Sequence, residues 1–363
     1  MHRLLVRSRI ARRCRKCSVS EHHSSLQDGL CAHCRVPAAA GNDAARAGSV
    51  ELGHSLDEVL RAHAGRGVGL YDAMVLVSGG KDSAVLLDRL IREFPSLRLL
   101  GVTVDTGFLS PVAVANVNEL VAQMGVDHLF VRPNPGVFIK GFRHALTHLG
   151  PQGCYGNVDR LDGDLVHDIA RNLAAVHRIP LLLTGVSRKQ VEIIFGVHDF
   201  EMPRERELAP RSETGGIPLT AIYEGDELLY WWNPQRFEPA RVSRLLFPLY
   251  AWNIEEHEIR RIVTELGLIR PGRDSPLVTN NLLLPLMGFV DVAKLGYSSF
   301  EGEFAAMIRE GKAPRRLWRN IFEMTEYSAR TGWLIGAEVK SALKQLELTP
   351  EDVGLDALGR RTK

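Results

Sequence analysis

The sequence has no long hydrophobic run and almost no net charge. No stretch of about 20 uninterrupted apolar residues exists, which is the length that a membrane-spanning helix needs, so we expect no transmembrane segment. The 45 Lys and Arg residues nearly balance the 43 Asp and Glu residues, and a net charge of +2 is too small to indicate a nucleic-acid partner. Internal repeats and low-complexity runs are also absent. A chain of 363 residues with 45% hydrophobic residues is typical of a soluble globular protein of about two domains.

Cysteine is scarce, and four of the five cysteines are paired by spacing. Cys14 and Cys17 form one C-x2-C pair, Cys31 and Cys34 form a second, and Cys154 stands alone. Two such pairs can supply the four thiolates of a tetrahedral Zn²⁺ site, which we expect to be structural because it has no open coordination position. Two disulfides, a redox pair and an iron–sulfur cluster are the alternatives. We expect no signal peptide and a cytoplasmic location, which disfavours disulfides.

The amino-terminal residues 1–16 are basic, with no acidic residue before Glu21. A basic run of this kind can contact RNA or a membrane surface. A solvated tail beside the cysteine module is an equally good interpretation. A mitochondrial presequence is less favoured, because the run leads directly into the cysteines.

The most specific motif is Ser-Gly-Gly-Lys-Asp-Ser at residues 78–83. It follows the apolar run 74–77 and precedes the helix-like run 84–90, so a strand, a turn and a helix are expected in that order. Glycines let backbone N–H groups approach an anion, and the free N–H groups of a helix N-terminus favour phosphate. The motif is not the longer Walker loop, in which the lysine lies next to the helix. An ordinary capped βα turn is the structural alternative.

These six residues resemble the signature of the PP-loop ATP pyrophosphatase superfamily. The resemblance implies that the loop binds the pyrophosphate of ATP while a substrate oxygen attacks the α-phosphate, which gives an adenylated substrate and pyrophosphate. A nitrogen or sulfur nucleophile then displaces AMP. It implies ATP and Mg²⁺ as ligands, with Lys81 and Asp82 as catalytic residues and with Asp82 placed to organise Mg²⁺ or the loop. The ATP-binding residues in the motif would be Ser78, Gly79, Gly80, Lys81, Asp82 and Ser83.

The rest of the chain alternates between strands and helices. Strands are predicted at 73–78, 98–105, 127–132 and 180–186. Helices are predicted at 82–94, 110–124, 137–149, 163–178 and 255–267. This alternation predicts an α/β fold with a doubly wound parallel sheet, in which ligands bind at the carboxyl ends of the strands.

Two further strand ends carry candidate ATP-binding residues. Asp105 is a candidate adenosine or ribose contact, although an Asp that begins a turn is an equal alternative. Gly185 would let the backbone approach adenine or the adenylate. Arg188 and Lys189 could neutralise phosphate or simply begin a helix.

The predicted domain organisation has four parts. A zinc-binding module spans 1–36, a linker and helix span 37–70, an ATP pyrophosphatase domain spans 71–270, and a helical region spans 271–363. The helix of the second part is predicted at 55–65, with Ser55 and Glu58 as a capping box and with residues 36–54 as linker. Residues 198–245 are predicted to be an irregular insertion, either a lid or a surface excursion packed by its own aromatic residues.

The order of these features resembles the N-acetyl sugar amidotransferase family of surface-polysaccharide biosynthesis. The resemblance covers the cysteine pairs, the 78–83 loop, the strand at 102–105 and the segment 308–311. It implies that an oxygen on a nucleotide-linked sugar is activated with ATP and replaced by nitrogen from a partner glutaminase. The chain shows no glutaminase domain and no amino-terminal catalytic cysteine, so a separate subunit would supply ammonia. The family tends to have paired cysteines in the middle region, where this chain has Asn157.

Sulfur transfer to a small molecule or tRNA is the main alternative reaction. Cys154 lies in the glycine-rich loop 150–156 and could carry a persulfide supplied by a sulfur donor protein. A buried structural cysteine is the simpler interpretation. Thiolases with a central cluster need more cysteines than remain here, and tRNA is not a favoured partner. A zinc-scaffolded nucleotide-binding or RNA-binding module without catalysis is the non-enzyme alternative, and a homodimer is a further option.

Overall fold

The chain divides into two compact units. The larger one, the sheet unit, comprises Gly41–Val137 and Gly163–Asn281, and the smaller one, the cysteine unit, comprises Met1–Ala40, Phe138–Asp162 and Leu282–Lys363. No described helix is both long enough and apolar enough to cross a membrane. The computed structural model describes residues 10–36, 43–275, 281–332 and 336–355.

The sheet unit is built on a five-stranded parallel sheet. In chain order its strands are β1 (Ala73–Leu76), β2 (Leu99–Val104), β3 (Asp127–Val131), β4 (Leu181–Thr184) and β5 (Arg244–Leu246). Their spatial order is β3-β2-β1-β4-β5. Every residue of the central strands β1 and β4 is buried, as expected for apolar strands that helices cover on both faces. Leu76 of β1 pairs with Thr184 of β4, so the two strands end at the same level. The predicted α/β class is confirmed.

Helices follow the strands at the predicted places, within a few residues at each end. The side chain of Ser110 accepts a hydrogen bond from the backbone N–H of Ala113, and Pro111 follows it, so this pair begins the helix that was predicted at 110–124. Residues Tyr155–Asp159 and Val191–Phe195 form short π-helical turns. The helices of eight or more residues in this part of the chain are α1 (Asp43–His63), α2 (Lys81–Glu93), α3 (Pro111–Met124), α4 (Pro135–Thr147), α5 (Arg160–Val176) and α6 (Glu256–Glu265). Shorter helical turns are Arg188–Gln190, Arg204–Glu207 and Pro248–Trp252.

The cysteine unit combines a small hairpin with the carboxyl-terminal helices. Strands Leu26–Gln27 and Leu30–Cys31 pair around Asp28 and Gly29, which both have positive φ, as a tight Asp-Gly hairpin turn requires. The short helix Ala32–Arg35 follows. The predicted helical carboxyl-terminal region is confirmed. Its helices are α7 (Leu284–Leu295), α8 (Glu301–Arg309), α9 (Arg315–Thr331) and α10 (Gly336–Gln345).

The helix predicted at 55–65 begins much earlier than expected. Helix α1 starts at Asp43, so the linker prediction for 36–54 fails from that residue on, and residues 37–42 lie outside the described part of the chain. Ser55 and Glu58 both lie inside the helix, so the predicted capping box is wrong. The alanines of this segment are strong helix formers, and they outweigh the glycines that suggested a linker.

The segment predicted as irregular, 198–245, is anchored by aromatic packing. Trp231 and Trp232 are both about 2% exposed. The Trp232 indole N–H donates to the carbonyl oxygen of Glu207 at 2.8 Å, and its ring stacks on Phe237. These contacts favour a packed excursion over a mobile lid. The segment also contains the hairpin Glu213–Thr214 with Ile217–Pro218 and the start of β5, which the sequence analysis missed.

Candidate functional site

The predicted phosphate loop lies where the strand order of the sheet reverses. From β1 the chain adds β2 and β3 on one side, and it later adds β4 and β5 on the other. Ligands of open α/β sheets bind at the carboxyl ends of the two strands that flank such a reversal. Those strands are β1 and β4, which lead into residues 78–80 and 185–187. The fold therefore places the motif where a ligand is expected.

The two serines of the motif close the loop on itself. Ser83 Oγ donates to the carbonyl oxygen of Gly80 at 3.0 Å and accepts from the Ser78 N–H at 3.2 Å. The two serine hydroxyls are 3.2 Å apart, and the Gly80 N–H lies 3.4 Å from Ser78 Oγ. The loop leads directly into α2, whose first N–H groups have no acceptor within the helix. This arrangement is a ready anion site.

A glycine is required at position 79, both by the backbone conformation and by the neighbouring atoms of α3. Its φ is +77°, in the region that disfavours side chains. A Cβ added there would lie 2.9 Å from the carbonyl carbon of Ala113 in α3, and closer still to the carbonyl oxygen. Helix α3 is therefore the platform on which the loop rests.

Lys81 is held between two carboxylates. Its Nζ lies 2.6 Å from Asp82 Oδ2 and 3.1 Å from Glu256 Oε2, and its side chain is 13% exposed. Burial lowers the pKa of Lys81, but Asp82 and Glu256 raise it by more, so that its net direction is upward. Lys81 therefore carries its charge at neutral pH and brings a cation to the loop. Glu256, which comes from the start of the distant helix α6, was not among the predicted site residues.

Asn116 in α3 also contacts the loop and was missed. Its side-chain nitrogen donates to the carbonyl oxygen of Gly79 at 2.9 Å and to that of Arg273 at 3.0 Å. Asn116 shares the buried face of α3 with Ala113, Val117 and Leu120. A polar residue within an apolar stripe was the signal that could have revealed it.

The structure places Asp105 at the end of β2, at the same edge of the sheet as the loop. Its Oδ1 accepts from the Gly107 N–H at 2.9 Å, and its Oδ2 accepts from Arg132 Nε at 2.7 Å. Arg132 Nη2 also donates to Oδ2. The residue thus makes the turn contact that the structural alternative describes. A carboxylate has acceptor capacity beyond these three bonds, so a ribose contact stays a prediction.

Gly185 lies against the backbone of the loop helix. A Cβ added to Gly185 would be 3.0 Å from both the N and the Cα of Ser83. A side chain at this position would push the loop and the end of β4 apart. Arg188 donates to the carbonyl oxygen of Tyr250 at 3.2 Å and lies over its ring, which shows a packing role for that guanidinium.

The four paired cysteines come together in the cysteine unit. All four are buried, and their sulfur atoms lie within 4.8 Å of one another. Cys17 Sγ and Cys31 Sγ are 3.5 Å apart, and the Cys31 N–H lies 3.4 Å from Cys14 Sγ. The four thiols are close enough together to bind one metal ion jointly.

The basic run at the amino terminus is partly structural. Arg13 is about 1% exposed in its side chain and is paired with Glu301 at 2.7 Å and with Glu326 at 2.9 Å. Glu301 also accepts from the Ser20 N–H at 2.8 Å. Arg13 therefore fixes the cysteine module to α8 and α9 and is not free to bind RNA. Residues 1–9 lie outside the described part of the chain.

Cys154 belongs to the cysteine unit, whereas the loop belongs to the sheet unit. Cys154 is fully buried, and its N–H donates to Asp291 Oδ1 at 2.8 Å. Burial, followed by the charge of Asp291, raises the pKa of the Cys154 thiol well above its usual value. A protonated and buried thiol is a poor nucleophile.

No protein-family model and no curated protein matches the chain. Several solved structures resemble it at low scores. The U34-tRNA thiolase NcsA from Methanococcus maripaludis, solved with its [4Fe-4S] cluster, is 14% identical over 94% of this chain and 91% of its own, with a TM-score of 0.37. The NMN synthetase from Francisella tularensis is 13% identical over 78% of this chain and 95% of its own, with a TM-score of 0.39.

A third similar structure is the phosphoadenylyl-sulfate reductase from Candida auris, in its phosphate complex. It is 16% identical over 60% of this chain and 85% of its own, with a TM-score of 0.32. All three TM-scores are below 0.5, and we draw no conclusion about substrate or reaction from them. The amidotransferase resemblance stays a prediction.

Proposed function

We propose that the chain is an enzyme that uses ATP to adenylate an oxygen atom of a small-molecule acceptor, with release of pyrophosphate, and then replaces that oxygen with nitrogen. The observation that carries the proposal is the Ser-Gly-Gly-Lys-Asp-Ser loop at the reversal point of the sheet, between β1 and α2. An anion site at this position, formed by backbone N–H groups and a charged lysine, suits the pyrophosphate group of ATP.

The acceptor oxygen attacks the α-phosphorus of ATP, and the bond between the α-phosphorus and the bridging oxygen to the β-phosphorus breaks, so that pyrophosphate leaves. Ammonia then attacks the carbon that bears the adenylated oxygen. AMP leaves with that oxygen, and the new nitrogen loses a proton. ATP is consumed in one turnover and yields AMP and pyrophosphate.

We assign the pyrophosphate to the loop and the nucleoside to the neighbouring strand ends. Ser78 and Ser83 shape the loop around the pyrophosphate through their hydroxyl hydrogen bonds. The Lys81 ammonium neutralises charge that develops on the leaving group. Asp105 is assigned to the ribose. Gly185 is assigned to adenine, because it lies at the end of β4 directly against the backbone of Ser83 in the loop.

The residues of the loop also fit a Mg²⁺ ion. Asp82 is a partly exposed carboxylate beside the phosphate site, and oxygen ligands of this type are those that Mg²⁺ prefers. The ion would neutralise phosphate charge when it is bound with ATP. Within the chain itself, Asp82 and Glu256 hold the Lys81 ammonium.

We propose nitrogen rather than sulfur as the second nucleophile. Sulfur transfer through Cys154 needs an accessible thiolate, and the burial of Cys154 and its raised pKa oppose this. Ammonia would come from a separate glutaminase subunit. A nucleotide-linked sugar is the acceptor implied by the family resemblance.

We propose that the four-cysteine group holds one structural Zn²⁺ ion. Four bonds of about 2.3 Å in a tetrahedron place the sulfur atoms about 3.8 Å apart. The separation of 3.5 Å between Cys17 Sγ and Cys31 Sγ fits a single ion of this kind. An iron–sulfur cluster separates its cysteine ligands more widely, because the irons lie between them.

The products of ATP cleavage test the adenylation step. The protein is incubated with ATP, Mg²⁺, ammonium chloride and a fractionated small-molecule extract, and phosphorus NMR follows the products. We expect AMP and pyrophosphate in equal amounts. ADP and phosphate as the products would overturn the proposal.

The same assay tests the role of Asp82. Asp82→Asn should slow AMP release by about 100-fold, a usual size for the loss of one electrostatic contact to a transition state. Asp88→Asn is the matched control, because Asp88 lies on the same helix and pairs with Arg92 rather than with Lys81. Its activity should stay near that of the unmodified protein. Equal activity in both variants would remove Asp82 from the mechanism.

Cys154→Ser distinguishes nitrogen transfer from sulfur transfer. Because Cys154 is buried and protonated, the serine variant should keep its turnover with ammonium within about threefold, after correction for any loss of folded protein. Mass spectrometry of the product should show nitrogen in place of oxygen. Adenylation that continues while turnover disappears would instead indicate sulfur transfer through Cys154.

A further inference from the structure

We infer that Asn116 is a positioning residue for the phosphate loop: it fixes the peptide between Gly79 and Gly80 so that its N–H group faces the anion site. The inference rests on the proposed function, since it assigns pyrophosphate binding to this loop. Asn116 lies in α3, more than 30 residues from the motif, and no sequence signature includes it.

The orientation of the Asn116 amide is determined by its partners. The side-chain nitrogen lies 2.9 Å from the carbonyl oxygen of Gly79 and 3.0 Å from that of Arg273. Both partners can only accept hydrogen bonds, so the NH₂ group must face them, and the amide cannot be flipped. The two donors of Asn116 are therefore both used to hold backbone carbonyls.

An asparagine at position 116 lowers the stability of the folded protein. Asn116 is about 2% exposed, and its Oδ1 is buried and has no hydrogen-bond partner among the described residues. A buried acceptor without a partner destabilises the folded state. The neighbouring buried positions of α3 are Ala113, Val117 and Leu120, and a residue of that kind would avoid the cost. A local choice that opposes stability is typical of a functional position.

The hydrogen bond from Asn116 to the Gly79 carbonyl determines the direction of the Gly80 N–H group. A trans peptide is planar, and its C=O and N–H groups point in opposite directions. Because the Gly79 carbonyl is directed at Asn116 in α3, the Gly80 N–H must point away from α3. That N–H makes only a long contact, of 3.4 Å, with Ser78 Oγ. It is thus directed into the loop, where a phosphate oxygen can accept it.

The second bond of Asn116 holds a separate segment beside the loop. Arg273 accepts through its carbonyl oxygen, and its guanidinium lies 3.2 Å from Glu119, one turn further along α3. Helix α3 therefore holds two separate segments. It contacts the phosphate loop at Gly79, and it contacts residues 270–273 through Asn116 and Glu119. Loss of the Asn116 amide would release both carbonyls at once.

The test compares binding of two ligands by titration calorimetry. The ligands are α,β-methylene-ATP, which carries the full triphosphate and resists cleavage at the proposed site, and AMP, which lacks the pyrophosphate. Asn116→Ala should weaken binding of α,β-methylene-ATP by about 10-fold, which corresponds to about 1.4 kcal/mol. The affinity for AMP should change by less than about twofold. The matched control is Asn118→Ala, an exposed asparagine on the same helix, which should leave both affinities unchanged.

A third variant separates hydrogen bonding from packing. Asn116→Asp has the same shape but directs a carboxylate at two carbonyl oxygens, so it should bind α,β-methylene-ATP at least as weakly as the alanine variant. Asn116→Ser keeps one hydroxyl donor and serves if the alanine variant does not fold. Unchanged affinity for α,β-methylene-ATP, or an equal loss for AMP, would overturn the inference. If the unmodified protein does not bind α,β-methylene-ATP, the proposed function itself fails.

Discussion

Replacing Gly79 with alanine should reduce ATP turnover by about 100-fold or more, because a shift of about 1 Å in a catalytic group can cost that much. The added Cβ would lie 2.9 Å from the carbonyl carbon of Ala113, which is backbone and cannot rotate away. Ala113 is itself fixed, since its N–H donates to the cap residue Ser110 at 3.0 Å. The loop must therefore move relative to α3, and the Gly79–Asn116 hydrogen bond must stretch with it.

A control variant separates this clash from the cost of a positive φ. Gly125→Ala places a side chain at φ +63°, at the carboxyl-terminal end of the same helix, but no atom lies within 4 Å of the added Cβ. Both variants carry the backbone cost of about 1–2 kcal/mol, and only Gly79→Ala also displaces the loop. Steady-state turnover and thermal unfolding should be measured for both. Similar turnover in the two variants would show that the platform contact does not control the site.

The sheet could be predicted from the sequence because its strands are local and apolar. Strands β1 to β4 and the helices between them carry their own signals, and the Ser-Gly-Gly-Lys-Asp-Ser motif lies within one strand–turn–helix unit. Strand β5 was missed because it has three residues and follows a long irregular segment. Its partner is β4, far away in sequence, so only the folded sheet identifies it as a strand.

The contacts of the supporting residues could not be predicted because their partners are distant in sequence. Asn116 meets Gly79, and Glu256 meets Lys81, only after the helices pack on the sheet. The same reason explains Arg13, which the sequence suggests is part of a solvated basic tail. Its buried partners come from the carboxyl-terminal helices. A single sequence shows which groups can do chemistry, but not which groups hold them in place.

Replacing Cys17 with serine should remove the metal from the cysteine unit and destabilise it. Cys17 is fully buried, and its sulfur lies 3.5 Å from that of Cys31. A hydroxyl is a much weaker ligand for Zn²⁺ than a thiolate, so one substitution should leave three ligands and lower the affinity sharply. Elemental analysis should give about one zinc per chain for the unmodified protein and almost none for the variant.

The loss of the ion should be visible in unfolding, because metal binding of this kind contributes directly to folding. A loss of about 4 kcal/mol would lower Tm by about 10 °C. The cysteine pairs pack against Ala305 of α8, and Arg13 beside them is bonded to Glu301 and Glu326, so the effect should reach α8 and α9. Hydrogen exchange should therefore increase in these helices as well as in residues 10–36.

Cys154→Ser is the matched control for the metal site, since Cys154 is a buried cysteine of the same unit that is not part of the four-cysteine group. It should retain its zinc. Iron with visible absorbance in the unmodified protein would contradict the zinc assignment, and zinc retained in Cys17→Ser would contradict the ligand assignment. Because a four-thiolate site leaves no coordination position open for a substrate, any fall in ATP turnover in Cys17→Ser should follow the loss of folded protein. A fall in turnover in fully folded Cys17→Ser would instead show that the metal takes part in the reaction.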